Sequence, residues 1–201
     1  MIWDERYSDK FRSYGTAPND FLVEMAELIP AGSALCLAEG EGRNAVFLAL
    51  RGHDVSAVDL SEVGLKNAEE LAASKGVSIA TQVADLTTFD PGQGGKRWDA
   101  IISIWAHMPA PDRARLHRAC VEALAPGGVF LLEAYTPAQL NSPGRGGPPN
   151  AALMMTPEAL REELQGLEIV RCEELERDVQ EGEYHVGLST TVQCFAIKRE
   201  P

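Results

Sequence analysis

The chain has 201 residues, 45% of them hydrophobic, which is ample for one buried core and calls for no second domain. Its 18 Lys and Arg against 30 Asp and Glu give a formal net charge of -12 and a pI near 4.8, which argues against a nucleic-acid partner, since that affinity rests on basic charge. No basic-then-apolar leader and no apolar run long enough for a bilayer is visible, so a soluble cytoplasmic protein without membrane contact is expected.

Residues 1–30 read as a polar-aromatic arm followed by a helix from about Pro18 or Asn19 to Pro30. Phe21, Leu22, Met25, Leu28 and Ile29 recur at helical spacing and should face a sheet. Trp3, Tyr7, Phe11 and Tyr14 precede that helix, either anchoring the arm by burial or covering a ligand as a lid. Residues 34–59 then read as strand (about Ala34 to Ala38), glycine loop, helix (about Arg43 to Leu50) and a second strand (Asp54 to Val58) leading to Asp59. In such a βαβ unit the backbone at Gly40 and Gly42 approaches a ligand closely while Asp59 reaches a ribose hydroxyl.

Gly40, Gly42 and Ala45 also fit the loose dinucleotide fingerprint G-x-G-x-x-G/A. Glu39 and Glu41 beside the turn suit a ligand carrying a sulfonium and an ammonium better than a pyrophosphate, which favours S-adenosylmethionine over NAD.

Ser61 is placed to cap a helix running to Lys75 and stopped by Gly76, followed by a third strand, Ile79 to Val83. A Pro-Gly turn at 91–95 leads to the apolar run Trp98 to Ile104, a fourth strand buried on both faces. A helix over 110–125 ends at Pro126-Gly127-Gly128 before a fifth strand, Val129 to Ala134. Five alternations of strand and helix imply an open parallel sheet with ligands at the carboxyl ends of its strands.

The irregular segment 136–150 is expected to be an active-site loop, and Thr156-Pro157-Glu158 opens a short helix. Two closing strands, about Leu167 to Glu176 and Gly187 to Lys198, joined by Arg177 to Val186, should form an antiparallel hairpin. The expected architecture is one α/β domain over 1–201, a Rossmann-like seven-stranded sheet, mostly parallel, with helices on both faces. Cys36, Cys120, Cys172 and Cys194 lie far apart with no C-x-x-C pair and read as core residues of a reducing compartment. No metal-site cluster is present in the sequence.

WDERY with YGTAPNDFL, EGEGRNAVFLA, VDLS, VADL, DAIISIWAHMP and APGGVFLLEAYTP occur in the order and spacing of the class I S-adenosylmethionine-dependent methyltransferases. Within that class the chain resembles the small bacterial group related to tellurite-resistance and thiopurine-type enzymes. The resemblance implies S-adenosyl-L-methionine as cofactor, with Gly40 and Gly42 against its methionine and ribose portions and Ala38, Glu39, Arg43 and Asn44 as further cofactor-binding residues. It further implies Asp59 on the ribose hydroxyls, Asp85 with Leu86 at the adenine edge, and Leu60 and Ile104 as further cofactor-binding residues. The family loop D/E-x-G-x-G-x-G here reads Cys36, Leu37, Ala38, Glu39, Gly40, Glu41, Gly42, so the strand-end acid is Cys36, the first glycine is Ala38, and Glu39 is the candidate partner of the cofactor ammonium.

Methyl transfer asks the protein to align acceptor and methyl carbon and to exclude water. His107, after the fourth strand, is a candidate general base or else a hydrogen-bonded structural histidine. Tyr14, Tyr135, Arg145 and His185 are further acceptor-pocket candidates, Trp105 reads as packing, and His53 and His117 have no chemical company. The resemblance suggests a small-molecule acceptor, a thiol or a chalcogen oxyanion such as tellurite, with Arg113 and Arg145 as sources of positive charge; a small O- or N-nucleophile stays open. A catalytically silent cofactor-binding module and a nicotinamide-dependent oxidoreductase are the competing readings.

Overall fold

A computed structural model describes residues 2–8 and 13–199. Phe11, one of the four arm aromatics, lies outside the described residues. Seven strands run β1 (Ser33–Leu37), β2 (Asp54–Asp59), β3 (Ala80–Val83), β4 (Trp98–Ile104), β5 (Leu124–Tyr135), β6 (Glu168–Glu181) and β7 (His185–Ile197). Among the described residues the six α-helices are α1 (Ile2–Tyr7), α2 (Asp20–Met25), α3 (Arg43–Leu50), α4 (Glu62–Ser74), α5 (Ala110–Ala123) and α6 (Pro157–Glu163).

The strands form one sheet in the order β3-β2-β1-β4-β5-β7-β6, parallel through the first five and antiparallel where β7 joins β5 and β6 joins β7. Alternation along each central strand splits the core in two. Ala34 and Cys36 of β1 face Phe21, Leu22, Ala45, Leu48 and Leu65, while Leu35 and Leu37 face the side covered by Leu116, Cys120, Leu160 and Leu164. All four cysteines are buried and free.

Several element boundaries differ from the sequence reading. The helix expected to reach Pro30 is α-helical only to Met25 and continues as a 3₁₀ turn, Ala26–Leu28. The tighter turn carries Leu28 out of the stripe, and it is 58% exposed. Asn19 caps α2 by accepting the Leu22 N–H. The fifth strand starts at Leu124 and runs through Pro126-Gly127-Gly128, with a register shift where Trp98 pairs Leu124 and Ala100 pairs Val129. Gly127 takes a φ of 78° there, and its N–H donates to the Lys198 carbonyl, so the expected helix stop is a bulge inside the sheet.

The closing hairpin is longer than expected: Arg177 to Glu181 continue β6, and only Gly182, Glu183 and Tyr184 connect it to His185. The stretch ELERDVQE hides its strand character because β6 is an edge strand whose outer face is solvated, with Val179 and Glu181 alone buried near its end. Helix α1 has no counterpart in the sequence reading, and it packs against α4.

Candidate active site

At the carboxyl ends of β1 and β4, where the strand order reverses, lies a cavity of about 590 Å³. Of the residues marked from sequence, Ala38, Glu39, Gly40, Arg43, Asn44, Asp59, Leu60, Asp85, Leu86, Ile104, Tyr14, His107, Arg145 and His185 all line it. Gly42 does not. It takes a φ of 86° as N-cap of α3, and a Cβ there would stand 2.5 Å from the Ala68 Cβ, so its bare backbone serves the packing of α3 on α4.

The loop from β1 to α3 is wound tightly, with Ala38 at φ 50° and Gly40 at φ 59°. Asp59 holds it in place: Oδ2 accepts the Gly40 N–H and Oδ1 the Ser61 N–H, both at 2.8 Å. Burial raises the Asp59 carboxyl above its usual range against these backbone bonds. Glu39 folds back over the helix start, and its Oε1 accepts the N–H groups of Asn44 and Ala45 at 2.9 and 2.8 Å. It therefore does the capping that Gly42 has no side chain to do. Burial pushes its pKa up to about 7, with the two N–H donors and Arg43 opposing.

Helix α1 crosses this half of the cavity. Tyr7 lies over Gly40, its hydroxyl 2.6 Å from where a Cβ would be, and the Ser61 hydroxyl donates to Asp4 at 2.6 Å. Arg6 stacks between the rings of Trp3 and Tyr184, at 4.9 and 4.6 Å, and donates to the Tyr14 hydroxyl at 2.8 Å. Asp85 stays exposed in a turn closed by the Thr87 N–H and hydroxyl.

The other half is aromatic. Trp105, at a φ of 59°, stacks on Tyr135 with centroids 4.3 Å apart, and His185 meets Trp105, Tyr135 and Tyr14 edge-on at 5.0, 5.3 and 4.8 Å. The 136–150 loop is pinned on β7 by paired backbone bonds between Arg145 and Val186. Gly146 and Gly147 lie directly on the Tyr135 ring, where side chains would collide.

His107 has both ring nitrogens engaged. Nε2 accepts the Tyr135 N–H at 3.0 Å, so Nδ1 carries the proton and donates to the Trp105 carbonyl, also at 3.0 Å. Burial drives its pKa down to about 4. This geometry gives His107 the task of tying β4's exit to β5, leaving no lone pair for a base. His185 differs: it is 7% exposed, and its Nδ1 is buried without a hydrogen-bond partner.

Two clusters escaped the sequence reading. Beneath the aromatic half, Glu133 accepts from Arg177, Asn19, Thr191 and Gln193. Glu181 accepts from Asn19, Arg177, Arg43 and, at 2.5 Å, the Trp105 indole N–H. A glutamate inside the apolar run VFLLEAY was the only hint of this network. Second, His117 is not without company: its Nδ1 is 2.7 Å from Glu163, which also takes a bidentate grip from Arg113. Arg113 is thereby committed to α6 and does not line the cavity, against the expectation that it could serve an anion there.

Residues 34–128 match a family model described as a methyltransferase domain. That match takes in just under half of the chain, and the sheet order gives the whole chain the fold of the solved S-adenosylmethionine-dependent methyltransferases to which it is similar. TehB from Haemophilus influenzae superposes with a TM-score of 0.75 at 20% identity, over 98% of this chain and 67% of that one. The N-methyltransferase NodS from Bradyrhizobium japonicum WM9, in complex with S-adenosyl-L-homocysteine, gives 0.73 at 14% identity over 99% and 97% of the two chains. At these identities the likeness is one of fold. In sequence, the chain is 31% identical over 109 residues to the 2-heptyl-1-hydroxyquinolin-4(1H)-one methyltransferase of Mycobacteroides abscessus, covering 53% of this chain and 48% of that protein. It thus spans about half the length of that curated relative.

Among the described residues no group of His, Cys, Asp and Glu could hold a metal ion, and no helix is long and apolar enough to cross a membrane.

Proposed function

We propose that the protein transfers a methyl group from S-adenosyl-L-methionine to a small acceptor, a thiol or a chalcogen oxyanion such as tellurite. The observation that carries this reading is the partition of charge in the cavity. The carboxylates lining it, Glu39, Glu41, Asp59 and Asp85, stand on the β1–β3 side, where a sulfonium and an ammonium are welcome. The other wall, made by Tyr14, Arg145, Tyr184 and His185 with Arg6 beside them, carries cationic groups and no carboxylate. Among the described residues neither Arg6, held by Trp3, Tyr184 and the Tyr14 hydroxyl, nor Arg145, which donates to the Glu183 carbonyl, has an ion-pair partner, so no carboxylate offsets their charge toward an anionic or polarisable nucleophile.

The residues fit the cofactor. Each Asp59 oxygen takes one backbone N–H and keeps acceptor capacity for a ribose hydroxyl, and the raised Glu39 carboxyl is matched by a cation placed against it. Ala38, Gly40, Arg43, Asn44, Leu60, Asp85, Leu86 and Ile104 line the same cavity, which supports Asp85 with Leu86 at the adenine edge and Gly40 against the methionine portion. The bound cofactor supplies an electrophilic methyl on sulfur. The chain's own contribution is to align the acceptor against the Trp105 wall and to exclude water beneath α1.

Calorimetric titration with S-adenosylhomocysteine and, separately, NADH tests the cofactor. Binding of the first with silence toward the second is expected, followed by labelled-methyl transfer to thiols, selenite or tellurite. Cofactor binding with no transfer to any nucleophile would make the chain a silent binding module.

A further inference from the structure

Glu181 ends β6 and His185 begins β7, and the two are register partners across the hairpin. Side chains of directly opposed residues share one face of a sheet. The three-residue connection is fixed by the arm: Gly182 has a φ of 65°, and a Cβ there would stand 2.3 Å from the Ser13 carbonyl and 2.5 Å from the Tyr14 Cα. The pair is thus held by both the hairpin and the segment that crosses it.

Glu181 Oε2 lies 3.9 Å from His185 Nδ1, within ion-pair range but beyond a hydrogen bond. Among the described residues no other carboxylate is that near to Nδ1, which is buried and otherwise unpartnered. Glu181 is itself immobilised by Arg43, Asn19, Arg177 and Trp105, so a small rotation of the imidazole is what closes the gap.

Resting on the thiol branch of the methyl-transfer reading above, we infer that Glu181 is the positioning residue for His185 as acceptor-side base, and that the acceptor arrives as a protonated X–H group, a neutral thiol, rather than as a preformed oxyanion. With Nδ1 protonated and turned to Glu181, the His185 Nε2 lone pair is left for an acceptor in the cavity that His185 lines. The X–H proton passes to Nε2, the freed pair on X forms the new bond to the methyl carbon, and the S–CH3 pair stays on sulfur, leaving S-adenosylhomocysteine. The imidazolium so formed rests against an ionised carboxylate. Burial works against charge on Glu181, but His185, Arg43 and Trp105 outweigh it and hold the carboxyl well below its usual range.

The other groups facing His185 cannot take this part. Tyr14 from the arm, Trp105 beyond β4 and Tyr135 ending β5 present rings, and burial together with Arg43 and Arg6 disfavours the imidazolium. Arg145 and Tyr184 share the wall, His107 is neutral with both nitrogens engaged, and the Glu181 carboxylate is the one opposing charge.

The test is the pH profile of kcat/KM for methyl transfer in wild type and Glu181→Gln. Losing the carboxylate lowers the His185 pKa, so the acid limb should move down by about one pH unit while the plateau falls on the order of a hundredfold and affinity for S-adenosylhomocysteine is retained. A superimposable profile overturns the inference. Because Glu181→Gln loses buried contacts and can fail to fold, the wild-type His185 tautomer is read independently by two-bond ¹H–¹⁵N correlation. An Nδ1–H, Nε2-lone-pair imidazole is expected, and an Nε2–H tautomer overturns the pairing. Absence of transfer to any acceptor would defeat the proposed reaction, whereas the tautomer decides the Glu181–His185 pair alone.

Discussion

The Trp105 indole N–H donates to Glu181 at 2.5 Å, while the ring lies flat on Tyr135, 4.3 Å between centroids. Its backbone sits at a φ of 59°, a region that costs a bulky residue roughly 1–3 kcal/mol, and its N–H is held by the Glu133 carbonyl. The indole bond is one of the contacts that hold this conformation. Trp105→Phe keeps the stack and removes that bond, so a stability loss of about 2 kcal/mol is expected in urea unfolding, since a hydrogen bond to a charged group is lost. The acceptor KM should rise with little change in S-adenosylhomocysteine affinity.

Glu39 predicts a pH dependence. Its folded pKa of about 7 lies above the ordinary 4.5, so the folded protein binds the extra proton between those values. The stabilisation from that proton is full below the unfolded value and is lost as pH rises through about 7. Unliganded protein should therefore lose thermal stability across that window, and Glu39→Gln should flatten the loss. Cofactor binding runs oppositely, because the ionised carboxylate is the form that meets an ammonium. Calorimetry should find tighter binding of S-adenosylhomocysteine above that pKa than below it in wild type, and a flat dependence in Glu39→Gln.

Gly42 tests whether the glycine loop serves ligand or packing. Gly42→Ala would place a Cβ 2.5 Å from that of Ala68 at a φ of 86°. The combined strain and overpacking should cost about 2 kcal/mol or more, read as a lower denaturant midpoint. Cofactor affinity of the folded fraction should fall less than in Asp59→Asn, which removes a charge that lines the cavity.

His107 separates a tether from a base. His107→Gln should lower stability by about 1–2 kcal/mol through the Tyr135 N–H and Trp105 carbonyl bonds it rebuilds imperfectly. The acid limb of kcat/KM should stay where it is in wild type. A limb that vanishes in His107→Gln would move the base from His185 to His107.

The central βαβ unit was legible because its signals are local. Arg43 to Leu50 and Trp98 to Ile104 are bounded as the periodicity and glycines suggest, and Ser61 caps α4 as its hydroxyl chemistry requires. The acceptor side was less legible for a physical reason. Glu181 falls in the polar stretch Arg177 to Val186, read as the connection between the closing strands, and its burial depends on Asn19, Arg43 and Trp105 arriving from three other elements. Glu133 gave a sequence hint, a charge inside an apolar run, but its partner Arg177 lies 44 residues away. His107 and His185 look alike in sequence; only the hydrogen bonds at both nitrogens of the first, and the unpartnered Nδ1 of the second, tell them apart.

The two halves of the cavity are built from different materials. One is mostly backbone and short loops clamped by Asp59, whereas the other is a rim of side chains, Tyr14, Arg145 and Tyr184 among them, beside Trp105, whose indole is bonded to the Glu133–Arg177–Glu181 network. Substitutions on that rim can change what is recognised without disturbing what is consumed. On the proposed methyl-transfer reading the scaffold is therefore suited to retargeting: a library confined to the rim, with Asp59, Glu133 and Glu181 left intact, is expected to vary the acceptor on a fixed donor.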